Sequence, residues 1–282
     1  MTLLKSRIIS VIQYVFLLIV SFIAAVPLLS CVLTSLKSEK DLLQQPFFYL
    51  PNVVDGVQNY KTVLSGGYYK ALIITMIIVL FATTISSLLS AMVAYIVCRF
   101  QFKGKKILLV GVSALTFVPA MSMQVYVFKM MSAMHLVNTI YGYILLVSGV
   151  DIVSVAIFSR YYGVIPNAID EAAVLDGCSL GKVFFKIHLP LLKQAFLTTT
   201  IIKTIFVYNE YYIVNLYLLN KNKYSTITTL LYSYAAPYGT KYNIICAGVI
   251  LAILPTTILF LVFQKRIYNG LSTANTNDLG GN

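Results

Sequence analysis

Apolar residues in this chain come in long blocks, not in alternation. Six blocks can be placed, at about residues 8–33, 69–97, 107–128, 140–158, 196–219 and 244–263. Each approaches the roughly twenty residues that a helix needs to cross a bilayer core. No period-two pattern runs through them, which disfavours an outer-membrane barrel. The pattern therefore predicts an all-α fold, a polytopic transmembrane helical bundle with six spans. One transmembrane domain would occupy residues 1–270, and a polar tail would follow over 271–282. Pro27, Pro119 and Pro255 interrupt the first, third and sixth blocks, where a proline frees a carbonyl and permits a kink. Between the first two blocks, Pro46, Pro51 and Gly56 mark turns in a polar outer segment of about 35 residues.

Composition sharpens the class. Of 282 residues, 59% are hydrophobic and 11% charged, against about 25% charged in soluble domains. The net charge of +12 would suit nucleic acid, but the basic residues sit at the ends of apolar blocks. That placement belongs to membrane topology, and no nucleic-acid partner is expected. With the N-terminus inside, twelve Lys and Arg fall on the cytoplasmic side and eight outside, and all four arginines (Arg7, Arg99, Arg160, Arg266) are among the twelve. Both termini are thus expected in the cytoplasm. Lys5 and Arg7 precede an apolar run of about 26 residues, too long for a signal-peptide core, so the first span is expected to stay uncleaved. Trp is absent, leaving 21 Tyr as the interfacial anchors. Cys31, Cys98, Cys178 and Cys246 are scattered and suggest neither zinc nor a disulfide framework.

The fourth connection, residues 160–193, is more organised than a surface loop requires. It contains EAAVLDGCSLGKVFFKIHLP, from Glu171 to Pro190. A helix is expected from Asn167, with Asp170 and Glu171 at its positive end. Ala172, Ala173, Val174 and Leu175 continue it, Gly177 closes it in a left-handed conformation, and Ser179 caps a second helix that Pro190 stops. The product is a cytoplasmic helix–turn–helix. A helix this short is marginal alone in water, so something must pack against it. Small Ala172 and Ala173 admit a close backbone while the Glu171 carboxylate awaits a basic group. An interfacial helix lying on lipid headgroups fits the composition too.

Glu171-Ala172-Ala173, three residues, Gly177, nine residues, then Ile187-x-Leu189-Pro190 resembles the signature loop of the permease subunits of binding-protein-dependent ABC importers. The surrounding text is similar to the carbohydrate-import branch and to its six-span maltose-transport permease type. LPNVVDGVQNY, AYIVCRFQFKGKK, HLVNTIYG, RYYGVIPNAIDEAA, YNEYY and LPTTILFLVFQKRIYNGL carry the likeness over nearly the whole chain. The resemblance implies a coupling helix that docks in a groove of a cytoplasmic ATPase subunit. Glu171, Ala172, Ala173, Asp176, Gly177 and Pro190 would form it, with Glu171 pairing to a basic ATPase residue. It also implies a second homologous permease, two ATPase copies, an extracytoplasmic sugar-binding protein and a place in the bacterial cytoplasmic membrane. The family's Asn-Ser in the second span is Ile74-Thr75 here, its fifth-span Trp is Tyr208, and its basic tail is replaced by Asp278 to Asn282.

Asp151, Lys203 and Glu210 fall within or near spans, where charge faces protein or water. Lys203 and Glu210 share a helix face about 10 Å apart, too far to pair. Tyr208, Asn209, Glu210 and Tyr211 admit two readings. They line a translocation path, with rings stacked on sugars, or they anchor the helix at the interface and against its neighbour. His135 and His188 are solitary, so neither a metal site nor a catalytic dyad is expected. No phosphate-binding G-x-x-x-x-G-K-[ST] occurs, so the chain is not expected to be an enzyme or to carry a cofactor. ATP and Mg would be bound by the partner ATPase. An ion-coupled secondary carrier is the competing class, but it would call for paired repeats around an ion site, and Asp151 alone offers little.

Overall fold

A computed structural model describes residues 2–44, 53–115, 117–235 and 240–275. Every regular element among the described residues is helical. Three helical stretches are long and apolar enough to cross a membrane: Ser10–Ser35, Gly56–Arg99 and Tyr242–Gln264. A fourth crossing is available if Ile140–Val147 and Ile152–Val164, bent by 53° at the break between them, count as one. The chain is an all-α, multi-pass membrane protein.

Three of the six expected blocks are not continuous helices. Residues 140–158 break between Val147 and Ile152. Residues 107–128 fall on Lys105–Leu115 and Ala120–Ala133, with Pro119 extended (ψ 117°) just before the second. Residues 196–219 fall on Lys193–Asn209 and Tyr212–Tyr217, separated at Glu210, where ψ is 123°. Pro27 and Pro255 instead lie inside unbroken helices, Thr2–Ser35 and Tyr242–Asn275. Gly56 is not a turn residue either. It sits in the helix Val53–Val63, where an added Cβ would come within 2.7 Å of Leu36 Cδ2. Pro46, Pro51 and residues 276–282 of the tail lie outside the described residues.

The chain divides into two compact units, residues 1–69 with 230–258, and residues 70–229 with 259–282. In the first unit, one buried amide ties three segments. Asn59 Nδ2 donates to the carbonyls of Ser35 and Lys37, both at 2.9 Å, and Asn243 Nδ2 donates to Asn59 Oδ1 at 2.8 Å. The Tyr68 hydroxyl donates to the Leu251 carbonyl at 2.9 Å. That carbonyl is the one Pro255 leaves without an N–H, so the helix runs through its proline without an orphaned acceptor.

The second unit is built on Tyr69–Arg99, whose buried face is mostly small: Ala71, Ala82, Ser86, Ser90, Ala91 and Ala94. Small residues let neighbouring backbones approach, and hydroxyls bond across the interface. Thr75 Oγ1 donates to the Ala71 carbonyl at 2.7 Å and accepts from the Ile227 N–H at 3.0 Å. Ser87 meets the Thr200 hydroxyl at 3.2 Å.

Asn59→Ala removes the donor from two carbonyls and leaves the Asn243 amide unmatched. It is expected to destabilise the purified protein by about 1–3 kcal/mol, seen as a lower melting temperature in detergent. An unchanged melting curve would remove Asn59 from this role.

Candidate functional site

The helix of the fourth connection spans Ala168–Leu175. Its C-terminus closes on Gly177 at φ +77°. The Gly177 N–H reaches the Val174 carbonyl at 3.0 Å and the Cys178 N–H reaches Ala173 at 2.9 Å. This paired closure needs a left-handed residue, and a side chain there strains the backbone. Ser179 is extended (ψ 152°) but makes no side-chain cap. Helix resumes through Leu180–Lys182, a wide turn over Val183–His188 and a last turn, Leu189–Leu191. Pro190 therefore does not end the helix, contrary to expectation. It lies at the start of that last turn, where a missing N–H costs little, and the wide turn before it gives its ring room. Leu192, at ψ 9°, makes the break before Lys193–Asn209.

The helix is held from its inner side by a charge cluster drawn from three segments. Arg99, the last residue of Tyr69–Arg99, places Nε 3.1 Å from Asp170 Oδ2. Its other two nitrogens donate to Asn167 Oδ1 and, at 2.7 Å, to the Ile165 carbonyl. His188 Nε2 lies 2.6 Å from Asp170 Oδ1, and the Tyr95 hydroxyl donates to the same oxygen at 3.4 Å. The fully buried His188 ring packs on Tyr95 and Tyr162, with centroids 4.9 and 5.3 Å away. The Arg99 guanidinium stands 5.7 Å from the Tyr162 ring centroid. Asn167 cannot cap the helix because its side-chain oxygen serves Arg99.

Sequence reasoning did not find this cluster. Asp170 reads as a helix-dipole charge, Arg99 as a topology charge, and His188 as solitary. The one local signal is Tyr95 and Arg99 four apart on a single helix face.

The six residues expected to act in coupling are brought to this short segment, but they divide between its faces. Ala173 is buried in the cluster with Val183 and Phe184. Glu171, Ala172, Asp176, Gly177 and Pro190 are exposed. Glu171 makes no ion pair among the described residues. Beside it stand Val174 and Leu175, the latter 88% exposed. A cleft of about 490 Å³ runs between Glu171, Val174, Leu175 and Leu180 on one side and Tyr95, Arg99 and Phe100 on the other.

The four path candidates do not share one environment. Tyr208 is buried. Asn209 is exposed but turns its amide back to the Ile205 carbonyl at 2.8 Å. Glu210 is half-buried, and its Oε1 accepts from the Ile213 N–H at 2.9 Å. Tyr211 is half-buried. Lys203 faces Asp151, with Nζ 4.0 Å from Oδ1. Among the described residues, no three His, Cys, Asp or Glu side chains are grouped to hold a metal ion.

No family model matches the chain. Individual relatives do. The arabinooligosaccharides transport system permease protein AraQ of Bacillus subtilis is 31% identical over 260 residues, 91% of this chain and 92% of the relative. The multiple sugar-binding transport system permease protein MsmG of Streptococcus mutans is 30% identical over 274 residues, 92% of this chain and 94% of its own. The trehalose transport system permease protein SugB of Mycobacterium tuberculosis is 28% identical over 218 residues, covering 76% and 80%. The fold is similar to that of a chain in a bacterial ABC transporter involved in the import of the acidic polysaccharide alginate. The TM-score is 0.78 at 20% identity, over 93% of this chain and 97% of that one. With near-full-length identity of 30% and 31% to two such permeases, and a Glu171-to-Pro190 signature that begins on one clamped helix, the chain belongs to the permease-subunit family of ABC importers, in its carbohydrate-transport branch.

Proposed function

We propose that the Ala168–Leu175 helix is the coupling element through which a cytoplasmic ATPase drives this permease, and that the cargo is an oligosaccharide or related polyol. As a permease subunit of a carbohydrate importer, the chain leaves ATP hydrolysis to a separate subunit. Its partners would be two ATPase copies, a second homologous permease and an extracytoplasmic sugar-binding protein. The relatives' names, for arabinooligosaccharides, multiple sugars and trehalose, support the sugar class.

One observation carries the coupling role. An eight-residue helix cannot stand alone in water, yet here its inner side is fixed by Arg99, Asp170 and His188. Its outer side offers Glu171, a carboxylate with no ion pair among the described residues, beside exposed Leu175. A rigid, half-apolar face with two carboxylates, Glu171 and Asp176, suits a protein groove better than bulk water. Glu171, Ala172, Asp176 and Gly177 would touch the ATPase. Ala173 and Pro190 would shape the helix pair from within and behind.

The six-span, maltose-type topology belongs to the same proposal. It follows if the broken segments 105–133, 140–164 and 193–217 each cross once, beside the three continuous helices. Residues 1–270 would then form one permease domain, with the tail 271–282 after it. An even number of crossings puts both termini on one side, and the four arginines make that side the cytoplasm of the bacterial inner membrane.

Glu171→Ala or Gly177→Pro is expected to leave membrane insertion intact and to abolish substrate-stimulated ATP hydrolysis by the assembled complex. Full coupled hydrolysis in either variant would contradict the assignment. Asp170→Asn removes the partner of a nearly buried guanidinium. Such losses reach about 3–5 kcal/mol in full burial, less here because the Asp170 side chain is 19% exposed. Thermal unfolding should show that loss, and Arg99→Gln added to Asp170→Asn should recover part of it. Additive losses in the double variant would show that the two side chains act independently.

A further inference from the structure

Two helix breaks in the second unit border one cavity. The first lies between Ile140–Val147 and Ile152–Val164, the second at Glu210 between Lys193–Asn209 and Tyr212–Tyr217. The cavity holds about 240 Å³ and is lined by Tyr143, Gly149, Lys203, Phe206, Glu210 and Ile213, among others. Irregular backbone at membrane depth is tolerated where it is buried in protein or lines a cavity.

Side chains match several backbone groups at these breaks. Ser86 Oγ donates to the Gly149 carbonyl at 2.8 Å, and the Asp151 N–H donates to Ser90 Oγ at 3.0 Å. Asp151 Oδ2 accepts from the Ser154 N–H at 2.8 Å and from its hydroxyl at 2.7 Å. Thr228 Oγ1 donates to the Glu210 carbonyl at 2.9 Å.

One group is left over. The Tyr143 hydroxyl has no hydrogen-bond partner among the described residues although the residue is 1% exposed. A buried hydroxyl without a partner is costly, and natural proteins seldom keep one without a use. On the same cavity lies the Lys203 ammonium, 4.0 Å from the Asp151 carboxylate and so beyond hydrogen-bond reach. Glu210 adds a carboxylate.

We propose that this cavity is a sugar-contact site carried by this subunit, with Tyr143 and Lys203 as donors and Glu210 as acceptor. The proposal rests on the sugar-import reading above. Hydroxyls both donate and accept, so they can satisfy a phenol, an ammonium and a carboxylate together. The C–H faces of a sugar ring suit the apolar walls at Phe206, Val207 and Ile213. An anion would meet the Glu210 carboxylate while the one ammonium already faces Asp151, and a cation would meet the ammonium itself, so a neutral polyol fits best. The volume lies below the roughly 300–1,000 Å³ that encloses drug-sized ligands. It is room for one ring of a longer chain.

The test uses the full importer, with its second permease, ATPases and binding protein, in proteoliposomes. Uptake is followed for radiolabelled neutral pentose and hexose di- and trisaccharides. The binding protein captures the sugar, so an internal site acts on maximal rate more than on the half-saturating concentration. Tyr143→Phe deletes one oxygen that bonds nothing in the protein, so its melting temperature should hold or rise. Its maximal uptake rate is expected to fall about three-fold or more, the scale of one lost hydrogen bond, and Lys203→Gln should lower it as well. A smaller change in both variants, or a fall accompanied by a lower melting temperature in Tyr143→Phe, overturns the site and leaves the importer reading standing. Failure of the wild-type complex to take up any of the sugars overturns both.

Discussion

Hydrocarbon offers no hydrogen bonds, so every backbone group released where a helix stops or meets a proline must be answered from within the protein. This chain meets that constraint with hydroxyls. Tyr68 answers the carbonyl that Pro255 frees. Ser86 and Ser90 answer the break after Val147, and Thr228 answers the carbonyl of Glu210. The small polar stripe of the Tyr69–Arg99 helix serves this purpose. Ser86 and Ser90 are four apart and so share a face, which lets one straight helix serve both sides of its neighbour's break. Apolar residues would pack there equally well, but they would leave the break unpaired.

At the end of that same helix the chemistry changes from hydroxyl to charge. Arg99 sits at a helix C-terminus, where a cation is favoured, and engages Asp170, Asn167 and the Ile165 carbonyl at once. A buried ion pair adds little net stability over an apolar pair of the same volume. What it adds here is geometry. A guanidinium with three partners and a histidine ring packed on two tyrosines fix the short helix in orientation as well as position. Lysine at position 99 could supply the charge but not the planar fork.

The sequence was most legible where its signals are local. Block length gave the helical membrane class, and glycine after Leu175 gave the left-handed closure at Gly177. The acidic Asp170 and Glu171 and the glycine at 177 bracket the helix Ala168–Leu175 in the sequence itself. Prolines were less reliable, because a proline alone does not decide whether a helix breaks. Pro255 has Tyr68 to take its carbonyl and the helix continues, whereas Pro119 marks an end. The break at Glu210 carries neither proline nor glycine, and what stabilises it comes from Thr228 and Ile213. The Arg99, Asp170 and His188 cluster was hidden for the same reason. Its members are 71 and 18 residues apart, and periodicity reports only neighbours three or four apart.

The clamp and the cavity are joined by two stiff members of the second unit. Ile152–Val164 begins at Asp151, beside the cavity, and carries Tyr162, against which Arg99 and His188 pack. Tyr69–Arg99 carries Ser86 and Ser90 at the break and Arg99 at the clamp. Thirteen residues of helix span about 20 Å, and neither connection contains a proline or a break. A displacement of the Ala168–Leu175 helix therefore cannot be absorbed along these two rods. Both rods lead to the interrupted backbone around Gly149 and Asp151, which Ser86 and Ser90 hold by side-chain hydrogen bonds.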